Sequence, residues 1–315
     1  MQFILPSVLI TLTLAFSAGV RADSPSHQVV MDRGLSYLAS AGDSWIAKRG
    51  CVSCHQIPTL LWSHHAAARS GDIELTAELE HWTSWATDVV NFVKPEQKSA
   101  VDPHATMASN IDTMVAMLLA VPRETDQGWR DRFVANLVSE QGEDGAWKAC
   151  GQLPLQRRPA IETNAVTTFW TTLVLIQQDA SFDRDAAIAF ADSVVDPKSI
   201  EWYAAGLLVA DATKDPDLDS KRQRLIDLQN DDGGWGWRVA ESSDALGTGY
   251  ALYALAKVGA DQASLSSARE FLFRTQTPSG RWIVPGTKTS AKRKPTATAN
   301  DWGTAWAVIA IAESK

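Results

Sequence analysis

Cysteine is scarce in this chain, with three in 315 residues. Two of the three fall in one pentapeptide, so the count is odd and no disulfide framework can hold the fold. Basic charge is also short. Lys and Arg number 29 against 37 Asp and Glu, a formal net charge of −8. An acidic balance lacks the electrostatic footprint that nucleic acid demands, so no nucleic-acid partner is expected. The one basic cluster, Lys288 to Lys294, lies in a Pro/Thr/Ser-rich stretch and reads as a solvated loop. Long uncharged apolar runs are missing after residue 22, so no transmembrane segment is expected in the mature protein.

The first 22 residues are different. An apolar run from Ile4 to Ala18 is followed by Gly19-Val20-Arg21-Ala22, and Val20 and Ala22 are the small residues a signal peptidase needs before a cut at Asp23. The segment before the run carries no Lys or Arg. Residues 1–22 are therefore expected to be a signal peptide, and residues 23–315 a single exported domain, periplasmic in a Gram-negative cell.

Residues 51–55 read Cys51-Val52-Ser53-Cys54-His55. C-x-x-C-H is the attachment pattern of c-type haem: two thiols form thioethers to the vinyl groups and the imidazole binds the iron. Such haem is attached outside the cytoplasm, so motif and leader agree. Two other readings stay open. A Cys51–Cys54 disulfide suits an oxidising compartment and leaves His55 unexplained. A zinc site would combine Cys51 and Cys54 with two of His55, His64, His65 and His104. For a haem, His104 and Met107 are the candidate distal ligands, and an iron with an open face would point to ligand binding or redox catalysis. His65 and Arg69 share a helix face, and Trp62, Trp82 and Trp85 read as packing residues.

The thirteen tryptophans fall at regular places. Three segments share Gln, three residues, Gly, one residue, Trp: Gln141 to Trp147, Gln229 to Trp235 and Gln276 to Trp282. Each follows a helical stretch (131–139, 221–228, 267–274) and precedes an apolar one (163–176, 244–258, 301–312). Such a segment predicts a helix hairpin with a stapled turn, in which Gln bonds exposed backbone, Gly permits the turn and Trp folds over the Gln. The glutamines lie 88 and 47 residues apart, so one degenerate hairpin is expected between the first two, at 184–194 and 199–210. Upstream, 79–92 with 110–120 and 32–39 with 58–68 complete six hairpins. An open solenoid is the other arrangement of such a repeat, but inner helices with Ala, Gly and Thr faces favour a closed ring. The threonine-rich run of Thr167, Thr168, Thr171 and Thr172 is expected to pack helices, with hydroxyls bonded back to the backbone.

These motifs resemble the QW repeats of the squalene–hopene and oxidosqualene cyclases, strongly over about 125–315 and weakly over 30–120. The segments Asn300 to Ala307 and Gly247 to Leu252 are similar to inner helices of that superfamily, which also includes protein prenyltransferases. The resemblance implies an all-α, terpenoid cyclase-like α/α toroid, with six inner helices ringed by six outer ones. It does not carry the cyclase chemistry across. The chain has neither an Asp-x-Asp-Asp acid nor an Asp-Asp-x-x-Asp diphosphate site. Cys150 has no His nearby for a prenyltransferase zinc.

Aligned by their apolar runs, five inner helices carry an acid near the start: Asp112, Glu162, Glu201, Asp244 and Asp301. A carboxylate there caps free N–H groups and suits the helix dipole. If the helices run parallel, the same acids ring one mouth of the cavity and are candidate catalytic groups. Pro58 in the first turn of the first inner helix puts His55 at that mouth too. The reading is a periplasmic haem c protein, with electron transfer or haem-linked redox chemistry near the cavity, a periplasmic redox partner and an apolar or polyol ligand. Its rivals are a non-redox cyclase-like or lyase-like enzyme using the acids, and a lipid- or polyol-binding module with a Cys51–Cys54 disulfide.

Overall fold

The structure, a computed structural model, describes residues 25–52, 56–123 and 128–315. Among these residues the chain forms twelve α-helices and no strand. Even-numbered helices line the inside: α2 (Ile57–Arg69), α4 (Ile111–Ala120), α6 (Ala160–Gln177), α8 (Ile200–Thr213), α10 (Ala245–Lys257) and α12 (Ala297–Glu313). Odd-numbered helices form the outer layer: α1 (His27–Arg49), α3 (Ala77–Thr87), α5 (Gly128–Ser139), α7 (Arg184–Asp192), α9 (Leu218–Ile226) and α11 (Gln262–Thr275). Each inner helix packs on the next, and α12 packs back on α2, so the ring is closed. The fold is an α/α toroid.

Burial separates the two layers. Nearly every residue of α10 and α12 is buried, while α9 and α11 bury one stripe and expose charges, as amphipathic outer helices must. Inner helices approach closely where side chains vanish: a Cβ on Gly249 of α10 would lie 2.7 Å from the Trp306 carbonyl carbon of α12.

The inner helices run parallel, and both rims are stitched by charge. At the C-terminal rim Arg69 of α2 donates to the Ala120 carbonyl that ends α4 and to Glu313 of α12, which also meets Lys257 of α10. Cations at helix C-termini satisfy free carbonyls and oppose the dipoles. Arg130 of α5, itself buried, donates to the Val121 and Pro122 carbonyls beyond α4.

In the Gln-to-Trp turns Gln bonds exposed backbone, as expected, and the indole adds a bond of its own. Trp does not share its polar contact with Gln. Each indole N–H reaches back to the last turn of the preceding outer helix, at the carbonyls of Leu137, Leu225 and Leu272, at 2.7–2.9 Å. Each Gln amide donates to its own turn, at Gly145, Gly233 and Gly280, and to the start of the next outer helix, at Asp183, Ser264 and Val30. The turn is therefore a clamp between consecutive hairpins. The Trp backbone N–H donates to a threonine of the following inner helix, Thr168, Thr248 or Thr304. Of the other threonines, Thr171 does bond back to its own helix at Thr167, whereas Thr167 donates to Asp112 of the neighbouring α4.

Candidate functional site

The five acids stand at the N-terminal rim, yet their environments set them apart. Glu162 accepts from the backbone N–H groups of Lys198 and Ser199 and from the Ser199 hydroxyl, so it holds the entry to α8. Asp244 caps α10 through Leu246 and Gly247 and also accepts from the Trp237 N–H; burial pushes it up to about 6 against those bonds. Asp301 accepts from Tyr37 of α1 at 2.5 Å and from Gln56, and burial raises it as well. Those three are occupied by the scaffold.

Asp112 and Glu201 face the lumen. They line a cavity of about 60 Å³ at the middle of the ring with Trp62, Trp170, Tyr250 and Trp306. Ring centroids there lie 4.1 Å apart for Tyr250 and Trp306 and 5.1 Å for Trp62 and Trp306. The indole N–H of Trp62 is buried without an assigned partner, and that of Trp306 is aimed at the Tyr250 hydroxyl oxygen. Glu201 pairs with the buried Arg158 at 2.7 Å and accepts from the Tyr250 hydroxyl, whose pKa burial and Glu201 raise. Asp112 accepts from the Thr167 hydroxyl at 2.7 Å. Burial, with Glu201 adding to it, pushes Asp112 up to about 6 although Thr167 opposes the shift.

A second space lies on the same rim, between the end of α1 and the start of α4. It measures about 440 Å³ and is lined by Trp45, Arg49, Cys51, Phe92 and Lys94 on one side, and by Asn110, Asp112, Thr113 and Cys150 on the other. Cys51 is buried, its thiol pKa raised by that burial, and its carbonyl accepts from the Trp45 indole at 2.7 Å. Val52 donates to the Asn91 carbonyl. Cys54 and His55 lie outside the described residues, but both flanks of that segment sit on this rim: Val52 at the cleft, and Gln56 against Asp301 of α12. The Thr113 hydroxyl is buried in the cleft wall with no assigned partner.

The other candidate ligands lie elsewhere. His104 is exposed on a 3-10 turn, and Met107 is packed in the core. His64 bonds the Leu60 carbonyl through Nδ1. His65 bonds Thr83 of α3, away from the lumen. Among the described residues no three His, Cys, Asp or Glu side chains cluster to hold a metal ion. Arg69 belongs to the opposite rim, where a further cleft of about 460 Å³ opens. Cys150, left without a role by the sequence, forms part of the cleft wall facing Cys51, and only its folded position reveals that.

No protein-family model matches the chain. A stretch of 64 residues, 19% of this chain, is 41% identical to drimenyl diphosphate synthase of Streptantibioticus cattleyicolor, and it spans 12% of that protein. Solved structures share the fold over nearly the whole chain. An unsaturated glucuronyl hydrolase specific for heparin superposes with a TM-score of 0.63 at 12% identity, covering 91% of this chain and 96% of its own. The GH76A α-1,6-mannanase of Salegentibacter sp. HEL1_6 gives 0.58 at 11% identity, covering 92% and 99%. A protein from Actinoplanes gives 0.59 at 12% identity, covering 92% and 99%. These likenesses establish the α/α toroid and go no further. No helix among the described residues is long and apolar enough to cross a membrane.

Proposed function

We propose that the protein is an exported c-type haem protein, built on a toroid of squalene-cyclase kinship, whose haem joins Cys51 and Cys54 and takes His55 as iron ligand. The observation that carries this reading is the cleft beside Cys51. Its volume of about 440 Å³ falls within the roughly 300–1,000 Å³ typical of small-molecule and cofactor sites. Trp45 and Phe92 give it apolar walls, and Arg49 and Lys94 bring two cations suited to a haem's two carboxylates. The group supplies a one-electron couple at the rim. The chain's own part is to exclude water with the α1 and α4 walls and to keep an acid, Asp112, at the inner end.

The rival reading is a non-redox enzyme acting in the aromatic cavity with Asp112 as general acid. The short match to a terpenoid synthase and the indole-lined wall favour it. Volume counts against it, because about 60 Å³ holds a few waters and not an isoprenoid chain.

The test is direct. Produced with cytochrome c maturation machinery, the protein is expected to show a Soret band and a mass one haem above the processed chain. Cys51→Ser with Cys54→Ser should lose both and keep the helical circular dichroism, since the ring clamps do not use these residues. A wild-type mass equal to the bare processed chain overturns the reading.

A further inference from the structure

The loops that lead into α6, α10 and α12 meet on the N-terminal rim. α6 and α12 stand three places apart in the ring, yet Gln156 pairs with Lys288 in an antiparallel bridge and the Arg157 N–H donates to the Thr287 carbonyl at 2.9 Å. Arg157 grips Glu241 with both terminal guanidinium nitrogens, at 2.7 and 3.0 Å. Arg293 and Arg238 reach the same carboxylate, at 3.5 and 3.8 Å. One acid thus serves three arginines. Lys288, Lys292 and Lys294 stand on the same loop as Arg293, so these seven side chains carry an excess of five positive charges on a chain of net charge −8.

The lysine-bearing loop is exposed, yet it is tightly built. The Gly286 N–H donates to the Lys294 carbonyl, and the Lys294 N–H to that of Ala291. A Cβ on Gly286 would lie 2.5 Å from that of Ala291. Lys292 and Arg293 both hold left-handed backbone, with φ +49° and +65°, which glycine would adopt without strain. Strain of this kind gathers at ligand-binding segments. The exposed side chains between 289 and 297 are hydroxyls, cations, a proline and an alanine. They offer no aromatic platform for stacked bases. Leu155 and Ile283, exposed on the flanking chain, supply little of the apolar area that a bilayer anchor buries.

We propose that these three loops form a docking surface for an acidic polysaccharide, a hydroxyl-rich chain whose carboxylates or sulfates meet the cations around Glu241. None of these residues lines the cleft beside Cys51, so the proposal stands apart from the haem reading. The test is equilibrium binding of the full chain to labelled polygalacturonate and to dextran sulfate over a salt series, with neutral dextran as control. Wild type is expected to bind one or both acidic polymers and not dextran, and the polymer preferred tells carboxylate from sulfate. Lys288→Gln with Lys292→Gln and Lys294→Gln should weaken binding about tenfold or more and reduce the log–log salt slope by about three, roughly one per cation. Lys292→Gly with Arg293→Gly suits both left-handed positions, so it should fold and still bind more weakly. Lys48→Gln with Arg132→Gln and Arg224→Gln removes equal charge from exposed sites on α1, α5 and α9 and should bind as wild type does. Binding of neither acidic polymer by wild type overturns the proposal. So does an unchanged affinity in the first triple variant, or an equal loss in the second. Tighter binding to anionic phospholipid vesicles than to either polymer overturns it in favour of a lipid surface.

Discussion

His65 illustrates how one buried side chain ties stability to pH. Thr83 gives its hydroxyl proton to the Leu79 carbonyl, so His65 must donate from Nε2 and keep a bare Nδ1. That Nδ1 is buried without a partner, and burial lowers the pKa from 6.5 to about 4. A depressed imidazole pKa means that the unfolded chain binds the extra proton first. The stability contribution is complete above about pH 6.5 and is lost as pH falls toward 4. His65→Gln, which keeps a donor for Thr83, should therefore lose less stability than wild type over that window. Parallel denaturation curves for the two proteins from pH 7 to 4 would show the explanation wrong. Asp112 and Asp244, both raised, act with the opposite sign near pH 4–6, which is why the variant difference and not the wild-type curve is diagnostic. The same scale shows what the sequence could not say. Position at a helix start marks Asp112, Glu162, Glu201, Asp244 and Asp301 as one set. What separates them is the loop of the neighbouring hairpin that donates to each, such as Ser199 to Glu162 or Trp237 to Asp244. That is tertiary information.

At the scale of elements, the helix pairs were legible because apolar runs, caps and turn glycines all agree. The run 163–176 lies inside α6, 244–258 covers α10, and 301–312 lies inside α12. The expected helix at 32–39 covers only part of α1, whose buried stripe is sparse over 23 residues and whose pattern Gly34 and Gly42 break. The turn clamp was half legible. Gly in each repeat signals a tight turn, but its second use needs the neighbour in place. A Cβ on Gly280 would lie 2.1 Å from the Arg33 carbonyl oxygen of α1, and the residue also holds φ +86°. Gly71 holds φ +77° with nothing within 4 Å of its missing Cβ. The pair separates backbone strain from close approach. Gly71→Ala should cost about 1 kcal/mol for the left-handed conformation alone. Gly280→Ala should cost about 1–3 kcal/mol more for overpacking the interface. Equal losses in urea melts would mean that the clamp is not tight.

The whole molecule closes through one seam, where the last hairpin meets the first. Gln276 donates to Val30 across 246 residues of sequence, and Tyr37 reaches Asp301 across 264. Every other clamp joins neighbouring hairpins, as Gln141 joins Asp183 across 42 residues. Local clamps are cheap in chain entropy and can form early; the seam carries the greatest loop-closure cost and comes after them. Its bonds are then absent from the folding transition state, which assigns them to the unfolding barrier. Gln276→Ala, which removes the bond to Val30 and strands the Gly280 carbonyl at a cost of about 1–3 kcal/mol, should speed unfolding by about that whole amount and leave the refolding rate unchanged. Gln229→Ala, in a clamp between adjacent hairpins, should slow refolding. Equal effects of the two variants on the refolding limb would refute this order. The consequence reaches beyond rates. A ring closed last at one seam stays shut as long as that seam holds, so its lifetime, and not the summed strength of the other clamps, sets how long the protein survives exposure to proteases.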